Sequence, residues 1–147
     1  MSLELIFALC NYGVLPAWLL LAFAPRWRGT ERVVHSAVVP ILLAVAYAVL
    51  LFGDKPGPQG ASFFTLDGVM RIFTTPRTVI ACWLHYLIGD LFLGAWEVRD
   101  ARRLGIPHPW VVPSLVLTLL FGPIGLASWL VLRAALRRKV SLVEASA

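Results

Sequence analysis

Residues 83–100 read WLHYLIGDLFLGAWEVRD, an apolar stretch that nevertheless contains one histidine and three carboxylates. A helix of about 20 apolar residues crosses the hydrocarbon core of a bilayer, and this stretch approaches that length. A charged side chain near the bilayer centre costs at least about 2.5–3.5 kcal/mol on insertion scales. The stretch therefore predicts a membrane helix whose polar side chains turn towards the interior of a helical bundle.

The composition of the whole chain is also that of a membrane protein. Hydrophobic residues make up 59% and charged residues 14% of the 147 residues, and the mean hydropathy is +0.80. Soluble domains are closer to half apolar and a quarter charged. The excess of apolar residues is arranged in blocks that each have roughly the length of a membrane span. These blocks are Leu3–Ala24, Val33–Phe52, Val79–Trp96 and Val111–Leu132.

The segments between the blocks complete the predicted fold. Residues 53–62, GDKPGPQGAS, predict a loop by their Gly and Pro content. Asp67 is placed to cap a short amphipathic helix, and Thr75 and Pro76 suit the N-cap and the first position of the third span. Residues 121–125, FGPIG, predict a break or kink inside the fourth block. We therefore predict one all-α domain over residues 1–147, a bundle of four transmembrane helices with a short amphipathic helix between the second and third.

The basic residues lie at the ends of the apolar blocks, and this placement argues against nucleic-acid binding despite a formal net charge of +5. Positive residues that flank membrane spans meet anionic lipid headgroups. We expect the lipid bilayer, and no nucleic acid, to be the partner of this charge. With four spans, the basic residues divide almost equally between the two membrane faces, so orientation stays open. The weak preference is for cytoplasmic first and third loops.

His85 and Asp90 are the polar residues of the third block that most need an explanation. A helix turns about 100° and rises about 1.5 Å per residue, so Asp90 lies about 140° around and about 7.5 Å along from His85. A carboxyl group at this depth is tolerated if it faces the bundle interior, is paired, or stays protonated. Two interpretations are open: hydrogen bonds that fix helix packing, or a titratable pair that acts on a ligand.

The remaining polar and aromatic residues of this region have simpler interpretations. Glu97 and Asp100 are expected to reach the membrane interface and to pair with neighbouring arginines. Trp83 and Trp96 suit interface anchors, or platforms on which a long conjugated ligand stacks. His108, in the connector after the third helix, suits a helix cap or a headgroup contact. Since the sequence has no dense ligand motif such as His-x-x-x-His, we expect no metal site.

The string from Trp83 to His108, together with the FGPIG sequence at 121–125, resembles the abscisic-acid-deficient-four-like, or neoxanthin-synthase-like, family of small four-helix membrane proteins. The plant members of that family are plastid proteins required for making neoxanthin, and the bacterial members carry a domain of unknown function. The resemblance covers nearly the whole chain. The short loops and the lack of a plastid transit peptide lead us to expect a bacterial member in the inner membrane.

The resemblance implies a carotenoid-processing isomerase that converts the 5,6-epoxide end group of a xanthophyll into an allenic alcohol. No net redox change occurs, so we expect no cofactor. An acid would protonate the epoxide oxygen and a base would remove a proton from the adjoining polyene carbon. Asp90 is the hypothetical acid and His85 the hypothetical base. The residues expected to bind substrate are Tyr86, Trp83, Trp96, Asp100 and His108.

Two other functions stay open at this point. The chain would be a non-catalytic pigment- or lipid-binding subunit if His85 and Asp90 only orient a ligand hydroxyl. An intramembrane Asp–His pair also suits a proton relay or transporter, although four short spans without an inverted repeat argue against it. A carotenoid or other isoprenoid lipid is the expected ligand. A second copy of the chain and other pigment-synthesising enzymes are the candidate protein partners.

Overall fold

The computed structural model describes residues 2–53 and 57–143. Residues 54–56 of the predicted loop, and residues 1 and 144–147 of the predicted domain, lie outside the described ranges. The described chain is all-α, as predicted. Its helices are α1 Leu3–Gly13, α2 Leu15–Phe23, α3 Arg28–Val33, α4 Val38–Phe52, α5 Leu66–Ile72, α6 Pro76–Arg103, α7 Val112–Phe121 and α8 Pro123–Arg137, with a short 3-10 helix at His108–Trp110.

Three helical segments are long and apolar enough to cross a membrane: Leu3–Phe23, Arg28–Phe52 and Pro76–Arg103. They correspond to the first three apolar blocks and indicate an integral membrane protein. The first segment consists of α1 and α2, which meet at Val14, two residues before Pro16. Proline has no backbone N–H to donate and is tolerated in the first turn of a helix, which accounts for a new helix starting here.

Helix α6 is the centre of the fold and packs against α1, α2, α4, α7 and α8. It begins as predicted, with the Thr75 hydroxyl accepting from the Thr78 backbone N–H at 3.3 Å and with Pro76 in the first turn. Leu84, Leu91 and Val98 are buried at intervals of seven residues. Such spacing places all three on one side of a helix, and this side is covered by the neighbouring helices.

The predicted amphipathic helix is α5, but its cap differs from the prediction. The Thr65 hydroxyl accepts from the Gly68 N–H at 3.1 Å and is the N-cap, whereas Asp67 lies in the first turn. The Asp67 carboxylate instead accepts from Arg71 Nε at 2.8 Å. Several apolar side chains on α5 and at its C-cap are exposed, as expected for a helix that lies on a bilayer surface. They include Leu66, Met70 and Phe73.

The fourth apolar block is not a single span, which corrects the prediction of four transmembrane helices. Helices α7 and α8 have 10 and 15 residues and lie side by side in opposite directions. The Ser128 hydroxyl donates to the Ser114 hydroxyl at 3.0 Å. In one continuous helix these residues would be about 21 Å apart. We call this pair of helices the α7–α8 hairpin.

The turn of the α7–α8 hairpin lies at the predicted break. Gly122 has φ +38° and ψ −90°, a conformation that disfavours any residue with a side chain, and Pro123 starts the second helix. A Cβ atom on Gly125 would lie only 2.1 Å from the Thr118 backbone nitrogen, so the two arms touch at backbone level. Because neither arm has the ~20 residues needed to cross a bilayer, the hairpin is re-entrant in form. Such elements are tolerated in membranes where protein surrounds them.

Candidate functional site

Asp90 lies against the turn of the α7–α8 hairpin. A Cβ atom on Gly122 would be 2.6 Å from Oδ1 of Asp90, so the missing side chain of Gly122 makes the space for the carboxyl group. Asp90 is half-buried near the middle of α6. Among the residues that the structure describes, its carboxyl group has no hydrogen-bond or ion-pair partner. Asp90 therefore packs against the hairpin turn with part of its surface exposed.

His85 faces a different neighbour. Its ring centroid lies 6.3 Å from that of Tyr47 on α4 and 6.1 Å from that of Tyr86, with the Tyr86 ring edge-on. His85 and Tyr86 are both exposed in the isolated chain. They line a cavity of about 210 Å³ together with Tyr47, Phe63, Phe73 and Cys82.

Asp90 does not line the His85 cavity. No hydrogen bond or ring contact connects the two residues within residues 2–53 and 57–143. The structure therefore places the hypothetical acid and base on one helix but against different neighbours.

Trp83 holds α6 to α1. Its indole Nε1 donates to Oδ1 of Asn11 at 3.0 Å, and its ring centroid lies 6.3 Å from that of Phe7. Hydrogen bonds between membrane helices contribute about 0.6 kcal/mol on average and at most about 2 kcal/mol. The polar edge of Trp83 is thus engaged in helix packing, and the 44% of the residue that is exposed is left for lipid or ligand.

Glu97 and Asp100 are both buried by protein, and Asp100 makes the expected pair with a neighbouring arginine, Arg103. Glu97 is fully buried and accepts a hydrogen bond from the Thr118 hydroxyl at 2.8 Å through Oε1. Its other oxygen, Oε2, has no partner among the described residues. Sequence analysis did not include Glu97 among the candidate site residues.

Asp100 is the centre of a buried ionic cluster at the open end of the α7–α8 hairpin. Its Oδ2 accepts from Trp129 Nε1 at 3.0 Å and lies 3.1 Å from Arg133 Nη1. Its Oδ1 pairs with Arg103. The side chains of Asp100 and Arg133 are 0% and 1% exposed. Since donors from two helices surround this carboxylate, it stabilises the contact between α6 and α8.

Trp96 lies beside this cluster. The Arg133 guanidinium lies 5.8 Å from the centroid of the Trp96 ring, a cation–π contact. Trp96 also lines a groove of about 280 Å³ between α6 and α8. Its lining residues are all apolar: Phe92, Leu93, Trp96, Leu126, Leu130 and Leu142.

His108 connects the turn after α6 to the end of α2. Its Nε2 lies 2.9 Å from the backbone oxygen of Ala22. A carbonyl oxygen only accepts, so Nε2 carries the proton and donates it. His108 therefore contacts the end of α2 and not the neighbours of Asp90 and His85.

The possible chemistry of the site follows from these placements. In the described ranges, no three His, Cys, Asp or Glu side chains come close enough to hold a metal ion. Asp90 is half-buried on α6, whereas Glu97 and Asp100 on the same helix are enclosed by protein. His85 adds a second titratable group next to an aromatic cavity. Proton transfer to or from a membrane-soluble ligand is the chemistry that these residues support.

The all-α fold, with three helical segments long and apolar enough to cross a membrane, defines an integral membrane protein. A family model described as ABA DEFICIENT 4-like matches residues 5–129, which is most of the chain. The protein belongs to the ABA DEFICIENT 4-like family. The chain is 28% identical to Protein ABA DEFICIENT 4, chloroplastic, of Arabidopsis thaliana over 143 residues, which cover 91% of this chain and 63% of that protein. No solved structure matches the chain.

Proposed function

We propose that this protein is a carotenoid-processing isomerase of the bacterial cytoplasmic membrane, which converts an epoxy-xanthophyll end group into an allenic alcohol. Membership of the ABA DEFICIENT 4-like family supports the substrate class. The observation that carries the proposal is the half-buried Asp90 carboxyl group at Gly122, without a polar partner among the described residues. A general acid that works on a lipid-soluble substrate needs this combination of depth and availability.

The reaction needs one proton delivered and one removed. Asp90 in its protonated form gives its proton to the epoxide oxygen, and the carbon–oxygen bond on the polyene side breaks. A base takes the proton from the adjoining polyene carbon, and the electrons of that C–H bond form the second double bond of the allene. The oxygen stays on the other carbon as a hydroxyl group. Substrate and product have the same composition, so electrons and atoms balance without an oxidant or a reductant.

His85 is the proposed base. Its cavity is lined by the rings of Tyr47, Phe63, Phe73 and Tyr86, which suit the flat, apolar surface of a conjugated chain. Asp90 is one and a half turns further along α6, about 7.5 Å along the axis. A substrate would therefore lie along α6 with its epoxide oxygen towards Asp90 at the hairpin turn, the adjoining polyene carbon towards His85, and the rest of the conjugated chain in the His85 cavity. Tyr86, Trp83 and Trp96 are the proposed contacts along this path, whereas Asp100 and His108 are engaged elsewhere.

The test is an assay of the purified protein with a 5,6-epoxy-xanthophyll in detergent, with products separated by chromatography. The wild-type protein is expected to yield an isomer of unchanged mass. Asp90→Asn is expected to lower the rate by about 10²- to 10⁴-fold, the usual contribution of general acid catalysis. Asp67→Asn, which changes an exposed carboxylate on α5, is the matched control and should retain activity. Full isomerisation by a folded Asp90→Asn protein would rule out the acid role.

A non-catalytic pigment- or lipid-binding function is the second candidate. One observation favours it: Asp90 and His85 contact different neighbours, and none of the described cavities includes both. In this case the purified protein carries pigment, and the pigment is released without chemical change. Bound pigment without product from an added epoxy-xanthophyll would select this function over the isomerase.

A further inference from the structure

A cavity lined by two arginines lies at the opposite end of α6 from His85, where two of the candidate spans end. It has a volume of about 530 Å³, within the usual range for small-molecule sites. Arg26 follows the first span, which ends at Phe23, and Arg102 is in the last turn of the third. The cavity is therefore level with the membrane interface. Its lining residues are Pro25, Arg26, Val98, Ala101, Arg102, Gly105, Ile106, Pro107 and His108.

The charge of the cavity lining is positive. Arg26 is exposed and makes no hydrogen bond or ion pair with any residue in the described ranges. Arg102 has a carboxylate neighbour, Glu31, but at 3.9 Å this is a weak and largely exposed pair. Two guanidinium groups at the entrance of one cavity present a planar fork geometry that suits phosphate oxygens.

The backbone around the cavity is arranged so that it does not repel an anion. Helices α2 and α6 both end here, and carbonyl oxygens at a helix C-terminus carry partial negative charge. At the end of α2, His108 Nε2 donates to the Ala22 carbonyl at 2.9 Å and the Thr30 hydroxyl donates to the Ala24 carbonyl at 2.6 Å.

The end of α6 is covered in the same way by a side chain from α8. Arg137 donates to the carbonyl oxygens of Leu104 and Gly105 at 2.8 and 2.6 Å. The carbonyl groups of Ala22, Ala24, Leu104 and Gly105 therefore already have donors, and Arg137 adds a third guanidinium group near Gly105. The inner wall of the cavity is apolar, with Val98, Ala101 and Ile106 buried in the core.

We propose that this cavity binds the phosphate group of an anionic phospholipid, with Arg26 and Arg102 as its ligands. An apolar wall beside a basic entrance at the interface matches an amphiphile: the phosphate contacts the guanidinium groups and the glycerol and upper acyl chain contact Val98 and Ile106. Basic pockets between transmembrane helices are known to bind lipid headgroups in this way. The site is separate from Asp90 and His85 and does not depend on the isomerase proposal.

The experiment measures lipid binding to the full-length protein in a non-ionic detergent by thermal unfolding and native mass spectrometry. The probes are phosphatidylglycerol, zwitterionic phosphatidylcholine and inorganic phosphate. Phosphatidylglycerol is expected to bind, and Arg26→Gln and Arg102→Gln are each expected to weaken it about tenfold, the loss of one charge-assisted contact. Glu31→Gln removes the competing carboxylate and should leave binding unchanged or tighter.

Arg28→Gln is the matched control, because it removes the same charge two residues from Arg26 at a position that does not line the cavity. It should weaken binding by no more than about twofold, since exposed charges act through screened long-range attraction. Equal weakening by Arg28→Gln and Arg26→Gln would show diffuse surface charge and overturn the site. If inorganic phosphate binds as tightly as phosphatidylglycerol and with the same variant pattern, the ligand is a soluble phosphate and the lipid assignment is wrong.

Discussion

The Thr118 hydroxyl on α7 donates a hydrogen bond to Oε1 of Glu97 on α6 across 2.8 Å, and both residues are fully buried. A buried carboxyl group is costly unless its oxygens are hydrogen-bonded. Because Oε2 of Glu97 has no partner in the described part of the chain, the Thr118 hydroxyl is the group that offsets this cost. This hydrogen bond fixes the first arm of the hairpin on α6.

Thr118→Val tests this relationship, because valine keeps the shape of threonine and removes only the hydroxyl group. We expect a loss of about 1–3 kcal/mol of stability, the cost of leaving a buried acceptor unsatisfied. The measurement is thermal or denaturant unfolding in detergent. Thr74→Val is the control, since Thr74 is exposed and its hydroxyl donates to the Arg71 carbonyl. Equal losses of stability from the two variants would show that the Thr118–Glu97 hydrogen bond stabilises the protein no more than an exposed hydrogen bond does.

Gly122→Ala is expected to disturb both the hairpin and Asp90. A side chain at φ +38° is strained, and its Cβ would meet Asp90 Oδ1 at 2.6 Å. We expect a loss of about 1–3 kcal/mol of stability from the backbone conformation. Product formation from an epoxy-xanthophyll should also fall, because the Asp90 carboxyl group is displaced.

Gly89→Ala is the matched control for Gly122→Ala. Gly89 precedes Asp90 on α6, and a Cβ atom there would meet nothing within 4 Å. An alanine inside a helix is more favourable than glycine by roughly 0.5–1 kcal/mol, so Gly89→Ala should unfold at a slightly higher temperature. If Gly89→Ala and Gly122→Ala behave alike in unfolding and in product formation, the contact between Asp90 and the hairpin turn contributes to neither stability nor activity.

Asp100→Asn is expected to be the most destabilising single charge change in the α6–α8 contact. It leaves the Arg133 guanidinium, whose side chain is 1% exposed, without its counter-charge. Removing one partner of a buried pair costs about 3–5 kcal/mol. The exposed Asp67–Arg71 pair is the comparison: Asp67→Asn should change stability by less than about 1 kcal/mol.

A second variant separates the charge effect from a simple packing defect. Adding Arg133→Met to Asp100→Asn removes the uncompensated charge and should restore part of the lost stability in the same unfolding measurement. If the double variant is less stable than Asp100→Asn, the Arg133 charge does not depend on Asp100, and the assignment of the cluster fails.

The start of α6 and the candidate spans were predictable because they depend on local sequence. Thr75 and Pro76 determine where α6 begins, and the hydrophobic length of the first three blocks gives the three candidate spans. The break at Gly122 was predictable for the same reason. Whether the chain kinks or reverses at this break was not predictable, because a glycine–proline pair permits both. The contacts between the two arms, Ser128 with Ser114 and Gly125 with Thr118, distinguish the two.

The buried cluster around Asp100 depends on that reversal. Trp129 and Arg133 are four residues apart on one face of α8, a spacing that the sequence contains. This spacing predicts a contact with Asp100 only once α8 is known to return alongside α6, which brings both side chains to the carboxylate. The arrangement of His85 and Asp90 has a similar cause. A helical wheel gives the angle between them, but it does not identify the helices that each of them faces.

The reversal at Gly122 also determines which face of the membrane the C-terminal segment occupies. A hairpin that turns back returns the chain to the face from which it entered, so three crossings leave Ser2 and Arg137 on opposite faces of the membrane. The C-terminal arginines then join the loops that contain Arg26 and Arg102, and this face holds all of the 13 basic residues except Lys55, Arg71 and Arg77. Such an excess marks the cytoplasmic face. A reporter fused after Arg137 should therefore be cytoplasmic and one fused before Ser2 should not, whereas an even number of crossings would place both together.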